Sequence, residues 1–310
     1  MDFSSAARYN RSNRPPHAIA PSDQMAEAAV SPKVASRALG VSESTLKRWC
    51  DRDLLKVTRT AGGHRKVAVS EILRLARLQG RPLAAPELVG LPPRGKTAFG
   101  DAGEQSQAMA AALLAGHEES VRQIIFELLA NKYSLSSLFD QVIAAAFATI
   151  GERWACEEVG IYQERRACLI LERILAEVRA LQSPPTRALA LGGTLEGDHY
   201  SLASTMAELV LRDCGLDAVA MGTSIPAASC IQAIRTNMPA IFWLGVSRVP
   251  DVPAFLAGFS RLSSTCNELG VAIVVGGRAL THELRTSMVY SACCDTMQQL
   301  ERFANTFPSR

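Results

Sequence analysis

Four short apolar runs constrain this chain more than any other feature: RALALGGTL from Arg187, DAVAMGT from Asp217, AIFWLGVS from Ala240 and VAIVVGG from Val271. A strand buried on both faces reads as a continuous apolar run. Runs spaced by roughly thirty residues, with helix-like stretches between, give the βαβ rhythm of a doubly wound, Rossmann-like α/β parallel sheet. In such a sheet, ligands bind beyond the carboxyl ends of the strands. The first strand leads to Glu196, Asp198 and His199. The second ends in Gly222, Ser224 and Pro226, the third in Gly245 and Ser247, the fourth in Gly276 and Gly277. Glycines and small hydroxyl residues there let a bulky ligand approach the backbone. No GxGxxG follows the first strand, which argues against a dinucleotide.

The rest of the chain is of other kinds. Its 310 residues suit two or three domains. No run of about eighteen apolar residues occurs, so no membrane partner is expected. The N-terminus lacks the apolar core of a signal peptide, and the expected location is cytoplasmic. Eight cysteines are scattered without a CxxC pair, so neither a zinc ribbon nor a redox motif is indicated, and they read as reduced thiols. Five segments follow: a polar arm over 1–27, a basic segment over 28–82, a Pro- and Gly-rich linker over 83–102, long helical patterns over 103–183, and the sheet over 184–310.

Charge separates the second segment from the others. The net charge of the chain is +3, yet residues 31–82 carry twelve Lys and Arg against four acids, a net +8. A basic head on an acidic body points to a polyanion partner for the head. SPKVASRALGVSESTLKRWCDRDLL, from Ser31, reads as two helices about a Gly40 turn, capped by Ser31 and Ser42. Leu46 and Trp49 face inward, leaving Ser44, Thr45, Lys47 and Arg48 outward at the start of the second helix. Val57–Thr60 and Lys66–Val69 can pair about an Ala61–His64 turn, with Ser70 capping a following helix. That hairpin carries Arg59, His64, Arg65 and Lys66 to the phosphate backbone. LGVSESTLKRWCDRDLL followed by TAGGHRKV resembles the winged helix-turn-helix head of MerR-type regulators and excisionases, over about fifty residues. The resemblance implies double-stranded DNA as partner and, because such heads read two-fold sites, a homo-oligomer.

Residues 103–182 parse as four helices, with breaks at Gly116, Ser134 and Gly151–Gly160, and a small four-helix bundle is the economical arrangement. Trp154 falls in the last break, ten residues ahead of Glu164. A bundle followed directly by a doubly wound domain resembles the cap and cobalamin-binding modules of the methionine synthase type. The same pair is fused to a MerR-type head in the light-responsive, cobalamin-dependent repressors of carotenoid genes. The resemblance implies that Trp154 covers the upper face of a corrin and that Glu164 faces it. It also implies cofactor contacts at Asp198, Gly222, Ser224, Ser247, Gly276 and Gly277, with His199 as lower axial ligand to cobalt and Asp198 or Glu196 orienting its ring.

The chain departs from the family pattern at named places. Arg165 follows Glu164 where the family has histidine, and Ala155 follows Trp154 where some members have one. The family motif Asp-x-His-x-x-Gly becomes Asp198-His199 without the intervening residue, and Leu202 stands three after the histidine. The motif's glycine helps the cofactor's nucleotide tail pass into the sheet, so a side chain there narrows the slot. The reading is a multidomain, non-enzymatic, DNA-binding transcriptional regulator with a cobalamin sensor. The alternative is the same fold without cofactor, sensing another ligand or a partner protein. A corrinoid-carrying enzyme is disfavoured by the basic head and the lack of a catalytic domain.

Overall fold

The computed structural model describes residues 29–60, 62–79, 83–91, 101–131, 133–156 and 159–307. The arm expected over 1–27 lies outside them. The chain divides into two compact units, residues 24–183 and a unit whose described part runs from 184 to 307.

The first unit opens with strand β1 (Ala29–Val30), helices α1 (Pro32–Leu39) and α2 (Glu43–Asp51), strands β2 (Thr58–Arg59) and β3 (Arg65–Ala68), and helix α3 (Val69–Leu78). Ser31 Oγ accepts the Val34 N–H and Ser42 Oγ the Thr45 N–H, so both caps close on backbone donors that would otherwise be orphaned. Ala35, Ala38, Leu46, Val67, Ile72 and Leu75 are buried on the apolar faces of the three helices and of β3, together with Leu55 from the segment after α2. The hairpin pairs Thr58 with Lys66 and Arg59 with Arg65. β3 also pairs with β1, a third strand that the sequence reading lacks, because two residues carry no period. Contrary to expectation, Val69 is the first residue of α3 and not the end of the strand, and Ser70 is buried inside the helix and does not cap it.

The segment expected as a linker is structured in part. Pro86–Val89 form a 3-10 turn, and Leu83, Val89 and Leu91 are buried. The Ala84 and Ala85 N–H groups both donate to the Ala38 carbonyl at the end of α1. Gly40 holds a left-handed φ of 65°, and a Cβ there would sit 2.8 Å from that of Ala84. Glycine is therefore required twice at this turn, for its φ and for the close approach.

Helices α4 (Ala102–Ala115), α5 (Glu118–Ala130), α6 (Leu135–Leu138), α7 (Ala144–Ala155) and α8 (Ile161–Ala180) follow, with a π-helical turn at Phe139–Ile143 joining α6 to α7. Their buried faces include Met109, Leu113, Val121, Ile125, Leu138, Val142, Ala146, Ile150, Ile170, Leu171 and Ile174, the three-and-four spacing of an amphipathic bundle. Gly151 does not break the chain: it lies within α7, and Trp154 occupies that helix's last turn, not a loop.

The second unit holds β4 (Leu189–Thr194), α9 (Leu202–Asp213), β5 (Asp217–Ala220), α10 (Ala227–Asn237), β6 (Ile241–Gly245), α11 (Val252–Leu269), β7 (Ala272–Gly276), α12 (His282–Thr286), β8 (Ala292–Cys293) and α13 (Met297–Asn305). Five parallel strands run in the order β5-β4-β6-β7-β8. This is a doubly wound sheet whose topological switch point lies between β4 and β6. Leu191, Phe242, Leu244, Ile273 and Val275 pack on one face with Ile234, Phe259, Leu262 and Cys266 of α10 and α11. β8, a two-residue strand, was not legible as an apolar run.

Candidate functional site

In the first unit, the basic positions reach solvent. Ser44, Lys47, Arg48, Arg59, His64 and Arg65 are exposed, and Thr45 and Lys66 are half-buried. The hydroxyls of Ser44 and Thr45 each lie 2.9 Å from Ser42 Oγ, so both serve the start of α2 as well as its outer face. Behind the hairpin, Glu71 is a buried carboxylate. It accepts from Arg74 Nε and Nη2 at 3.0 and 2.7 Å and from the Lys56 N–H at 3.3 Å, while Arg74 also donates to the Leu54 carbonyl. Burial pushes this carboxyl up, but the Arg74 hydrogen bonds and the Lys56 N–H outweigh it and hold Glu71 below the usual carboxylate range. The segment between α2 and the hairpin is thereby tied to α3.

On the bundle, Trp154 is 50% exposed, unusual for a large aromatic at the end of a core helix. Glu164 stands half-buried in the first turn of α8, and Arg165 is exposed. Ile161, Tyr162 and Leu169 on α8 are also exposed, so this helix bears apolar side chains on its outer side. Burial, with Glu164 and Glu172 beside it, pushes the Cys168 thiol up to about 11.

In the second unit, the loops after β4, β5 and β6 are bound into one knot. Thr194 Oγ1 donates to the Asp198 carbonyl at 2.6 Å and accepts the Ser224 N–H at 2.9 Å. Ser224, with φ 53°, accepts the Gly197 N–H on its Oγ at 3.0 Å and donates its own N–H to the Asp198 carbonyl. At the centre is the Asp198 carboxylate, whose residue is 3% exposed. Its Oδ2 accepts the N–H groups of Ser247 and Arg248 at 2.6 and 3.1 Å, and its Oδ1 that of Tyr200 at 3.1 Å. The carboxylate therefore bridges the switch point, from the end of β4 to the end of β6.

This changes the expected roles. Asp198 does not orient the His199 ring: its oxygens are spent on backbone donors. Glu196 is exposed and makes no hydrogen bond to His199. His199 is exposed at the sheet's carboxyl edge, and its ring makes no hydrogen bond among the described residues. Tyr200 is half-buried, with the Arg278 guanidinium 5.5 Å from its ring centroid. Counted without a gap from Asp198, the family spacing falls on Tyr200 for its histidine and on Ala203 for its glycine. The sequence reading missed Tyr200 because it anchored the motif on the histidine rather than on the acid.

The glycines also differ from expectation. Gly222 is exposed with nothing within 4 Å of its Cβ position, so it remains permissive. At Gly276 a Cβ would meet the Cys294 carbonyl at 2.5 Å, and at Gly277, with φ 131°, the Val246 carbonyl at 2.3 Å. At both positions the chain itself approaches the glycine on its Cβ side. His117 and His282 are exposed, and no group of three or more metal-ligating side chains occurs among the described residues. No helix among them is long and apolar enough to cross a membrane.

Comparison with known proteins bears on both units. Residues 105–179 match the family model of the B12 binding domain. The HTH-type transcriptional repressor CarH of Myxococcus xanthus is 25% identical over 274 residues, covering 82% of this chain and 91% of the repressor. The monomethylamine corrinoid protein of Methanosarcina barkeri superposes with a TM-score of 0.55 at 13% identity, over 65% of this chain and 97% of that one, a likeness of fold. These likenesses support cobalamin as the cofactor, and over most of its length the chain resembles a helix-turn-helix transcriptional repressor.

Proposed function

We propose that this chain is a DNA-binding transcriptional regulator whose affinity for its operator is set by a corrinoid. The observation that carries the reading is the order of parts. A head with net +8, two short helices and an Arg- and Lys-bearing hairpin stands directly ahead of the segment that matches the B12 binding domain. The head lays α2 in the major groove, with Ser44, Thr45, Lys47 and Arg48 reaching bases and phosphates. Arg59, His64, Arg65 and Lys66 of the hairpin hold the flanking backbone. Trp154 and Glu164 receive the corrin from the bundle. On the sheet unit, Gly222, Ser224 and Ser247 form a rim at the strand ends, and the exposed His199 would offer an imidazole to a corrinoid's cobalt. A homo-oligomer presents paired heads to a two-fold site. Corrinoid binding, and light where the bound form is photolabile, shifts the oligomer between states of different operator affinity, which requires different corrinoid affinity in those states. The likeness to a transcriptional repressor supports a non-enzymatic regulator, with the cytoplasm as its expected location.

Absorbance of the purified full chain after incubation in the dark with adenosyl- and hydroxocobalamin tests this directly. Co-elution of a corrinoid spectrum with the protein is expected, together with a change in operator affinity on loading. Absence of any co-eluting corrinoid sinks the sensor. A second reading, a cofactor-free regulator that senses another ligand or a partner, is favoured by Arg165, Tyr200 and Ala203 standing where the family has histidine, histidine and glycine. It predicts operator binding that is indifferent to corrinoid.

A further inference from the structure

The inference rests on the corrinoid reading above and concerns what part of the corrinoid the sheet unit accepts. Cobalamin is a flat ring with a long nucleotide tail ending in a benzimidazole, a bicyclic aromatic. In the family that the sequence resembles, the motif's glycine lets that tail pass into the sheet, and its position here falls on Ala203 in the first turn of α9, so a tail entering there needs a channel between the sheet and that helix. That channel would run between β4 and α9, beside the switch point.

In this chain the space holds an indole. Trp243 on β6 is in register beside Gly192 on β4, and it is 3% exposed. Its Nε1 donates to Ser204 Oγ on α9 at 3.0 Å, which fixes the ring across the layer. A Cβ on Gly192 would lie 2.0 Å from Trp243 Cδ2, so the glycine exists to admit the chain's own indole. Gly193 is closed in the same way, by the Gly222 carbonyl at 2.6 Å. Above this layer, the Asp198 carboxylate ties the β4 loop to the β6 loop and shuts the crevice where a doubly wound sheet ordinarily receives its ligand.

We propose that Trp243 excludes the nucleotide tail, and that this unit takes a corrinoid by its ring alone, at the rim formed by Gly222, Ser224 and Ser247. The indole is a bicyclic aromatic about the size of a benzimidazole, and it fills the layer between β4 and α9. Ligand specificity follows: the sheet unit discriminates on the ring and is indifferent to the tail. Trp243 is then the specificity-determining residue.

The test compares two probes on the full chain, hydroxocobalamin and cobinamide, which has the same ring and no nucleotide tail. Binding is followed by calorimetry and absorbance for the wild type and for Trp243→Phe and Trp243→Ala, with circular dichroism checking that each variant is folded. Trp243→Phe retains an aromatic ring and guards against loss of fold in Trp243→Ala. The expected result is wild-type affinity for the two probes equal within about threefold, and a preference for cobalamin rising about tenfold or more as the ring shrinks from Trp to Phe to Ala. A wild-type preference for cobalamin of about tenfold or more overturns the proposal. So does a preference that the substitutions leave unchanged. If the wild type binds neither probe but Trp243→Ala binds cobalamin, the exclusion stands and the corrinoid-sensor reading of the natural chain falls. If no form binds either probe, both fall.

Discussion

Replacing Asp198 by Asn tests the claim that this carboxylate is a structural bridge and not a partner of the His199 ring. The side chains are nearly the same size, so packing is preserved. What changes is the pattern of donors and acceptors. Asp198 accepts three backbone N–H groups, two on Oδ2 and one on Oδ1. An Asn can keep the Tyr200 bond, but its amide nitrogen then faces the N–H groups of Ser247 and Arg248, donor against donor. Hydrogen bonds to a charged group contribute about 1.5–3 kcal/mol each. The Arg248 residue is exposed, so its amide recovers part of its loss from water, whereas Ser247 is half-buried and recovers less. The net cost is about 3 kcal/mol. Asp198→Ala loses the same two acceptors at the β6 loop and the Tyr200 bond besides, so it costs at least as much. Opening of the β6 loop then becomes easier by about a hundredfold, at 1.4 kcal/mol per decade. Hydrogen exchange on the full chain, read on a peptide spanning residues 245–251, reports this locally without assuming that the two units unfold together. Exchange at Ser247 and Arg248 accelerated by about a hundredfold in both variants is the expected outcome. Protection within about threefold of wild type in Asp198→Ala, which has no oxygen to turn toward either amide, refutes the bridge.

Three further predictions follow from other parts of the chain. Glu71→Gln lowers the stability of the head by about 1–2 kcal/mol at neutral pH, Arg74 being partly exposed and its ion pair screened. Because the folded Glu71 lies below the ordinary carboxylate value, its contribution is present above that value and is lost as pH falls through the folded one. Thermal melts should therefore show wild type and variant converging in acid, and a gap that widens there would contradict the assignment. Burial pushes Cys214 and Cys266 up to about 12, so a thiol reagent at about pH 8 should modify the exposed Cys156 first and reach those two only on denaturation. Equal modification rates in mass spectra would disprove it. Lys47→Ala and Arg48→Ala should each weaken duplex binding and reduce the slope of log affinity against log salt by about one if that residue's contact is to phosphate. An unchanged slope for both would place α2 away from the backbone.

Much of the architecture was legible before any coordinates. The apolar runs at 187–195, 217–223, 240–247 and 271–277 are strands because a sheet covered on both faces has no solvent side to encode in alternation. Ser31 and Ser42 read as caps because a hydroxyl ahead of an apolar period satisfies an orphan N–H locally. Such features depend on residues a few positions apart, and sequence displays those directly. The features that escaped are of two kinds. β1 and β8 are too short to carry a period and exist only through their partners β3 and β7. Gly151 looked like a break, yet the bundle keeps α7 helical through it, because packing outweighs about 1 kcal/mol of helix propensity.

At the sheet's edge the division is sharper. The sequence alone brought Asp198, His199, Ser224 and Ser247 to the strand ends, since strand ends can be counted along the chain. It could not decide what each does there. Asp198 and Ser247 are forty-nine positions apart, and only the crossing of β4 beside β6 turns the carboxylate from a ring-orienting group into a bridge between loops. Gly192 and Trp243 likewise sit on different strands, and only their register shows that the glycine makes room for an indole and not for a ligand. Which atoms lie within van der Waals or hydrogen-bond reach is a property of the packed chain, so the kinds of group at this edge were settled by sequence and their occupation by tertiary structure.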